Sequence, residues 1–111
     1  MPTLSTPEVE QVRFLGLIPR LPGLSVQEFH DHYQHPHGTL VLQMPGLVTY
    51  MQSHQFDSPL LDESQGRLEA IAECLFASRD ATRDIADSEL FRTYVGPDEA
   101  NFVDATRLNW L

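Results

Sequence analysis

Histidine is the side chain whose ordinary pKa places it nearest neutrality, and this chain concentrates four of its five histidines in one short segment. His30, His32, His35 and His37 lie within PGLSVQEFHDHYQHPHGTLVLQM, residues 22–44, and His54 follows. Pro22-Gly23 signals a turn, and Ser25 with Glu28 forms a capping box that starts a helix. At about 100° per residue, Val26, Phe29, Tyr33, His37, Leu40 and Met44 line one apolar stripe. His37 falls near its middle and His30 at its edge, while His32 and His35 fall on the opposite, solvent-facing side. An imidazole inside an apolar stripe has two readings. It is a general acid or base in a cavity between helix and sheet, or a buried ring that donates to a backbone carbonyl.

His54 and Tyr50 share a face of a following strand and can meet the same cavity. A Tyr–His or His–His arrangement suits removal and return of a proton on a polarised carbonyl or phenol. The alternative for His54 is a solvated strand end. The histidine run also invites a metal reading, which geometry opposes. His30 and His37 lie about 10 Å apart along a helix, whereas ligands of one zinc must each reach within about 2.1 Å. No metal site is therefore predicted. No Gly-rich loop follows a strand, so no nucleotide cofactor is predicted either. Cys74 reads as a small core residue, and Asp80, Asp84, Asp87 and Glu89 as a solvated helix face.

The elements that must position these residues follow in order. Residues 1–11 are polar, with two prolines, and read as a loose arm ahead of a single domain over 12–111. Residues 12–19 form a strand apolar on both faces, with Phe14, Gly16 and Ile18 opposed to Leu15 and Leu17. Gly16 marks a bulge or a close approach. The histidine helix kinks or breaks at His35, because Pro36 disfavours α geometry in the residue before it, and a second short helix runs to about Gln43. Strands over 47–56 and 68–76 flank a polar loop over 57–67. Ser78 or Asp80 caps a helix over 81–94, bent near Asp87-Ser88 and ended by Gly96-Pro97. Residues 98–103 are a connector, and 105–111 a last strand carrying Leu108 and Trp110. The order β-α-β-β-α-β is the ferredoxin-like α+β arrangement, an antiparallel sheet with both helices on one face.

Composition narrows the function. The 111 residues carry a net charge of −9, a pI near 4.7 and 41% hydrophobic residues. Acidity of this degree argues against nucleic acid and anionic membranes as partners. No apolar run reaches the roughly 18 residues of a membrane span. The N-terminus lacks signal-peptide character, and one cysteine precludes an intrachain disulfide, so a cytoplasmic location is expected.

The segment RLPGLSVQEFHDHYQHPHGTLVLQMPGLVTYMQSH, Arg20 to His54, resembles the EthD family of the dimeric α+β barrel superfamily. The matching positions are Arg20, Pro22, Gly23, Ser25, Glu28, Phe29, Tyr33, His37, Pro45, Gly46, Leu47, Tyr50 and His54. Glu99-Ala100-Asn101-Phe102-Val103-Asp104 resembles the family's closing segment. Tyr33 stands where a tryptophan is usual, and Pro36 precedes the histidine that it normally follows. The resemblance implies a homodimer whose two sheets pack face to face, and it makes His37 the pocket histidine. It also implies decarboxylation, cyclisation, isomerisation or oxygenation without a bound cofactor; heme held by a helix histidine is the exception in the wider superfamily. The founding context of the family is oxidative breakdown of an ether.

The expectation is thus a small enzyme acting on a small hydrophobic aromatic or carbonyl compound. His37 would be the acid/base, assisted by His54 and Tyr50, with His30, Phe29, Tyr33, Leu40, Phe14 and Trp110 around the substrate. The alternative is a non-catalytic protein that holds such a molecule for an oxidative pathway.

Overall fold

A computed structural model describes residues 10–61 and 68–111. Residues 1–9 of the expected arm and 62–67 of the expected loop lie outside the described residues. Strands β1 (Val12–Ile18), β2 (Leu47–His54), β3 (Ala70–Phe76) and β4 (Asn109–Trp110) form one antiparallel sheet in the order β2-β3-β1-β4. Helices α1 (Val26–His32) and α2 (Gly38–Val41) join β1 to β2, and α3 (Arg79–Ala86) and α4 (Gly96–Glu99) join β3 to β4. This is the ferredoxin-like α+β fold.

Strand alternation separates the two sheet faces. Ile18, Ala70, Ala72, Cys74 and Phe76 are buried beneath the helices. Leu15, Leu17, Met51, Ile71 and Leu75 project from the other face, where no helix among the described residues covers them. An ion pair between Arg13 and Glu73 crosses the same open face.

Local chemistry starts the helices where the sequence places them. Ser25 Oγ accepts the Glu28 N–H at 3.0 Å, and Glu28 Oε1 accepts the Ser25 N–H at 3.1 Å, closing the capping box. Ser78 Oγ accepts the Ala81 N–H at 3.1 Å and starts α3. The break before Pro36 is present: His35 is extended, at φ −152° and ψ 128°.

Beyond shifts of one or two residues at element ends, as where β1 stops at Ile18, β2 stops at His54 and β3 starts at Ala70, three features differ from the sequence reading. First, the chain between α1 and α2 takes a wide turn over Tyr33–His37, closed by the Gly38 N–H on the Tyr33 carbonyl, residue i+5 to residue i. Second, the helical path after α3 does not end at Gly96-Pro97. Ser88 Oγ accepts the Phe91 N–H at 3.1 Å, a second wide turn follows over Phe91–Val95, and α4 continues to Glu99. Pro97 falls in the first turn of α4, where a missing N–H leaves no hydrogen bond unmade. Asp98 and Glu99 are therefore helical residues beside the core. Third, the last strand is only Asn109–Trp110, because Asp104 Oδ1 accepts from both the backbone N–H and the hydroxyl of Thr106 and folds the chain into a turn.

Gly16 is a point of close approach. It pairs with Trp110 across β1 and β4, and a Cβ added there would stand 2.8 Å from the indole ring. Gly16→Val should displace Trp110 and destabilise the fold by about 1–3 kcal/mol. Urea unfolding followed by tryptophan fluorescence checks this; an unchanged midpoint would contradict the packing described.

Candidate active site

Asp98 holds two of the histidines. Its Oδ2 lies 2.9 Å from His37 Nδ1, and its Oδ1 lies 2.8 Å from His32 Nε2 and 3.1 Å from the Asn101 side-chain amide that donates to it. The wide turn explains how both rings reach one carboxylate. On a regular α-helix residues five apart diverge by about 140°, whereas a turn closed i to i+5 brings them to one side. His32 is consequently half-buried against Phe102 rather than solvent-facing, and His35 alone of the pair is exposed, bonded to Thr39.

His37 is 6% exposed and packs on Phe102, with ring centroids 4.7 Å apart. Burial pushes its pKa below the ordinary histidine value, and the bond to Asp98 only partly restores it. Burial alone would raise the pKa of Asp98, but hydrogen bonds from His32, Asn101 and His37 outweigh it and hold the carboxylate below its usual range. An ionised Asp98 accepts the Nδ1–H of His37, which leaves Nε2 as the basic nitrogen.

His37 lines a cavity of about 50 Å³ together with Tyr33, Tyr50, Cys74, Glu99 and Trp110. Its walls are otherwise apolar. The Tyr33 hydroxyl is buried and closes no hydrogen bond of good geometry, although the Tyr50 hydroxyl lies close enough to interact with it. Burial raises the pKa of both phenols. Tyr50 Oη accepts from Gln52 Nε2 at 2.8 Å, and the same amide donates to the Tyr33 carbonyl at 2.7 Å. Gly38 makes room for this amide, since a Cβ there would stand 2.9 Å from it. A porphyrin does not fit a cavity of this size beside His37.

His54 lies at the far end of the same strand face, outside this cavity. Its Nε2 is 2.8 Å from Gln52 Oε1, and its Nδ1 is 2.8 Å from His30 Nδ1. Burial, with His30 alongside, lowers its pKa. His30 Nε2 lies 3.4 Å from Glu69 Oε2, and Arg20 Nε donates to Glu69 Oε1 at 3.2 Å. The structure thus places His30 and His54 in a polar cluster that supports Gln52. Phe29 is buried in the core below His30, and Leu40 packs among the residues around Val41 and Met44. Phe14 and Trp110 line a second, more open groove of about 240 Å³ with Phe76 and Phe91, which shares Met44, Cys74 and Glu99 with the inner cavity.

Asp98, Glu99 and Glu69 were missed by the sequence reading. Asp98 and Glu99 stand directly after a Gly-Pro pair, which masks the helix that aims them. Glu69 precedes a strand whose apolar alternation gives no sign of a buried acid. Glu99 at the junction of cavity and groove has its pKa pushed up to about 7, by burial and then by Asp98. Burial raises the Cys74 thiol to about 11, which keeps it protonated and unreactive. Among the described residues, no group of three or more His, Cys, Asp or Glu is placed to hold a metal ion, and no helix is long and apolar enough to cross a membrane.

The EthD domain pattern matches residues 21–106, most of the chain. The chain belongs to the EthD family. No curated protein matches it. An EthD family protein from Bacillus halodurans C-125 superposes with a TM-score of 0.71 at 19% identity, over 92% of this chain and 95% of that one. A dimeric ferredoxin-like protein of unknown function from Thermobifida fusca YX gives 0.70 at 12% identity, over 94% and 90%. SnoaB, a cofactor-independent oxygenase from Streptomyces nogalater, gives 0.62 at 13% identity, over 93% and 90%. At these identities the likeness establishes the shared fold. Within that fold, the carboxylate–imidazole pair and the tyrosine-lined cavity are features of this EthD chain's own residues.

Glu99 makes stability depend on pH. The folded chain holds a proton there between about 4.5 and 7 that the unfolded chain releases. The resulting stabilisation is complete below about 4.5 and is lost as pH rises through about 7. Glu99→Gln mimics the protonated side chain, so its Tm should match the wild type at pH 4 and exceed it by several degrees at pH 8. Calorimetry at the two pH values checks this; equal Tm at both would refute the raised pKa.

Proposed function

We propose that this EthD protein is a homodimeric enzyme that moves a proton on a small, largely apolar carbonyl or phenolic compound without a bound cofactor. The observation carrying this reading is His37 with Nδ1 held by Asp98 at the wall of an apolar cavity. Such a pair fixes the tautomer, offers a neutral base at Nε2 and stabilises the imidazolium once the proton arrives. Low dielectric around the ring strengthens that stabilisation. The enolate or phenolate so formed either receives the proton at another carbon, which is isomerisation, or reacts at carbon with dioxygen. The kinship in fold with a cofactor-independent oxygenase supports the last route.

The test is solvent deuterium exchange into the α-position of aryl methyl ketones, followed by NMR, with oxygen uptake measured on naphthols. His37→Ala should lower the rate by about 10²–10⁴-fold, and Asp98→Asn at least tenfold, with unchanged circular dichroism. The rate should rise with pH along an acid limb centred below the ordinary histidine value, because burial lowers the His37 pKa and the neutral ring is the base. Retained turnover in His37→Ala would remove His37 from the mechanism.

The homodimer rests on the open sheet face. Its leucines and Ile71 have no helix over them among the described residues, and an apolar strand face of this kind is stabilised by a second layer. Native mass spectrometry should give twice 12.6 kDa. Leu17→Asp should give monomer or insoluble protein; a soluble dimer would move the interface elsewhere.

A further inference from the structure

Two hydroxyls in the inner cavity have no role in the proton transfer as described, and their hydrogen bonding points in one direction. Tyr33 is 1% exposed, and its hydroxyl closes no hydrogen bond of good geometry. A buried polar group left unpaired in a native core calls for a partner that arrives with function. Tyr50 Oη already accepts from Gln52, so its own proton is aimed elsewhere. Gln52 cannot flip to reverse this. Its amide nitrogen donates to the Tyr33 carbonyl, and its Oε1 faces the Nε2 of His54. The Tyr33 and Tyr50 hydroxyls interact without closing a hydrogen bond of good geometry, so both are placed to donate to one acceptor entering the apolar cavity that also holds His37.

Size completes the description of what enters. A cavity of about 150 Å³ accommodates benzene, so the inner cavity of about 50 Å³ takes a small polar head and no ring. The adjoining groove of about 240 Å³, along Phe14, Phe76 and Trp110, takes a ring system. We propose that Tyr33 and Tyr50 form an oxyanion-receiving pair, binding the carbonyl or phenolic oxygen of an aromatic substrate whose rings lie in the outer groove. This deepens, and rests on, the reading of His37 as the base. The substrate C–H or O–H bond breaks, its proton passes to His37 Nε2, and the electron pair is delocalised onto or left on the oxygen that the two hydroxyls hold. Reprotonation reverses the same path. Both phenols stay protonated, and so remain donors, because burial raises their pKa values. Donors fixed before charge develops stabilise it without reorganisation.

The probe is 4-nitrophenol, whose ionisation is visible by absorbance, titrated with pH in the presence of the purified full chain. The bound probe should ionise at a pH at least one unit below that of the free phenol, a tenfold preference for the anion. Tyr33→Phe and Tyr50→Phe should each reduce this shift and the double variant abolish it, with thermal melts confirming that all three fold. Failure of the wild type to bind the probe, preference for the neutral phenol, or a full shift in the double variant would overturn the pair. Ketone exchange that survives undiminished in the double variant would also overturn it, while leaving His37 as the base. A tyrosine-dependent shift in a protein that exchanges no ketone proton would support the pair and overturn the enzyme reading instead.

Discussion

The carboxylate of Asp98 is the contact on which the rest of the site depends. It joins the end of α4 to the segment that follows α1, two elements separated by 61 residues between His37 and Asp98. A carboxylate buried to this degree is costly to desolvate unless its oxygens are hydrogen-bonded. His37, His32 and Asn101 supply those bonds, so the acid stays ionised in a largely apolar setting. The same contact decides what His37 can do. With Nδ1 committed to Asp98, the ring turns Nε2 into the only nitrogen free for chemistry. Burial meanwhile keeps that nitrogen unprotonated to lower pH than an ordinary histidine.

Backbone irregularity delivers this arrangement. Each helical crossover contains a wide turn, one over Tyr33–His37 and one over Phe91–Val95, and each is associated with a proline, Pro36 inside the first and Pro97 just after the second. A continuous α-helix would send His32 and His37 to different sides and would not admit Pro36. Wide turns of this type recur at functional sites because they re-aim side chains without ending the helix. The first turn also leaves the Tyr33 carbonyl free to accept from both the Gly38 N–H and the Gln52 amide. The backbone distortion and the side-chain network are therefore coupled at one oxygen.

The polar groups divide into two sets with different work. Arg20, Glu69, His30, His54 and Gln52 form a chain of contacts that ends on the Tyr50 hydroxyl and orients it. Asp98 and His32 do the corresponding job for His37. Glu99 stands between cavity and groove with a pKa near neutrality, so it is a carboxyl on the cavity wall able to change charge in the working pH range. Cys74 lines the same walls but stays a thiol.

Much of this is legible in the residues alone. The capping box at Ser25 and Glu28, the break at Pro36, the close approach at Gly16 and the two-faced β1 are local matters of hydrogen bonding, φ restriction and alternation, and the sequence carries them. So does the family, through Arg20 to His54. The placement of His37 in the apolar stripe needed only helical periodicity. What depended on tertiary structure is what lies far apart in the chain or breaks periodicity. Periodicity failed at the wide turn, where His32 swings inward beside His37. It failed again at Gly96-Pro97, where a strong stop signal is overridden because Pro97 occupies a first-turn position. The partner of His37 could not be read from spacing, since nothing local distinguishes Asp98 from a surface acid. The sequence by itself determined which elements form and which histidine is buried. Only packing decided that the Asp98 carboxylate would hold it and that Tyr33, Tyr50 and Glu99 would share its cavity, because those contacts are set by long-range geometry and desolvation, not by neighbours in the chain.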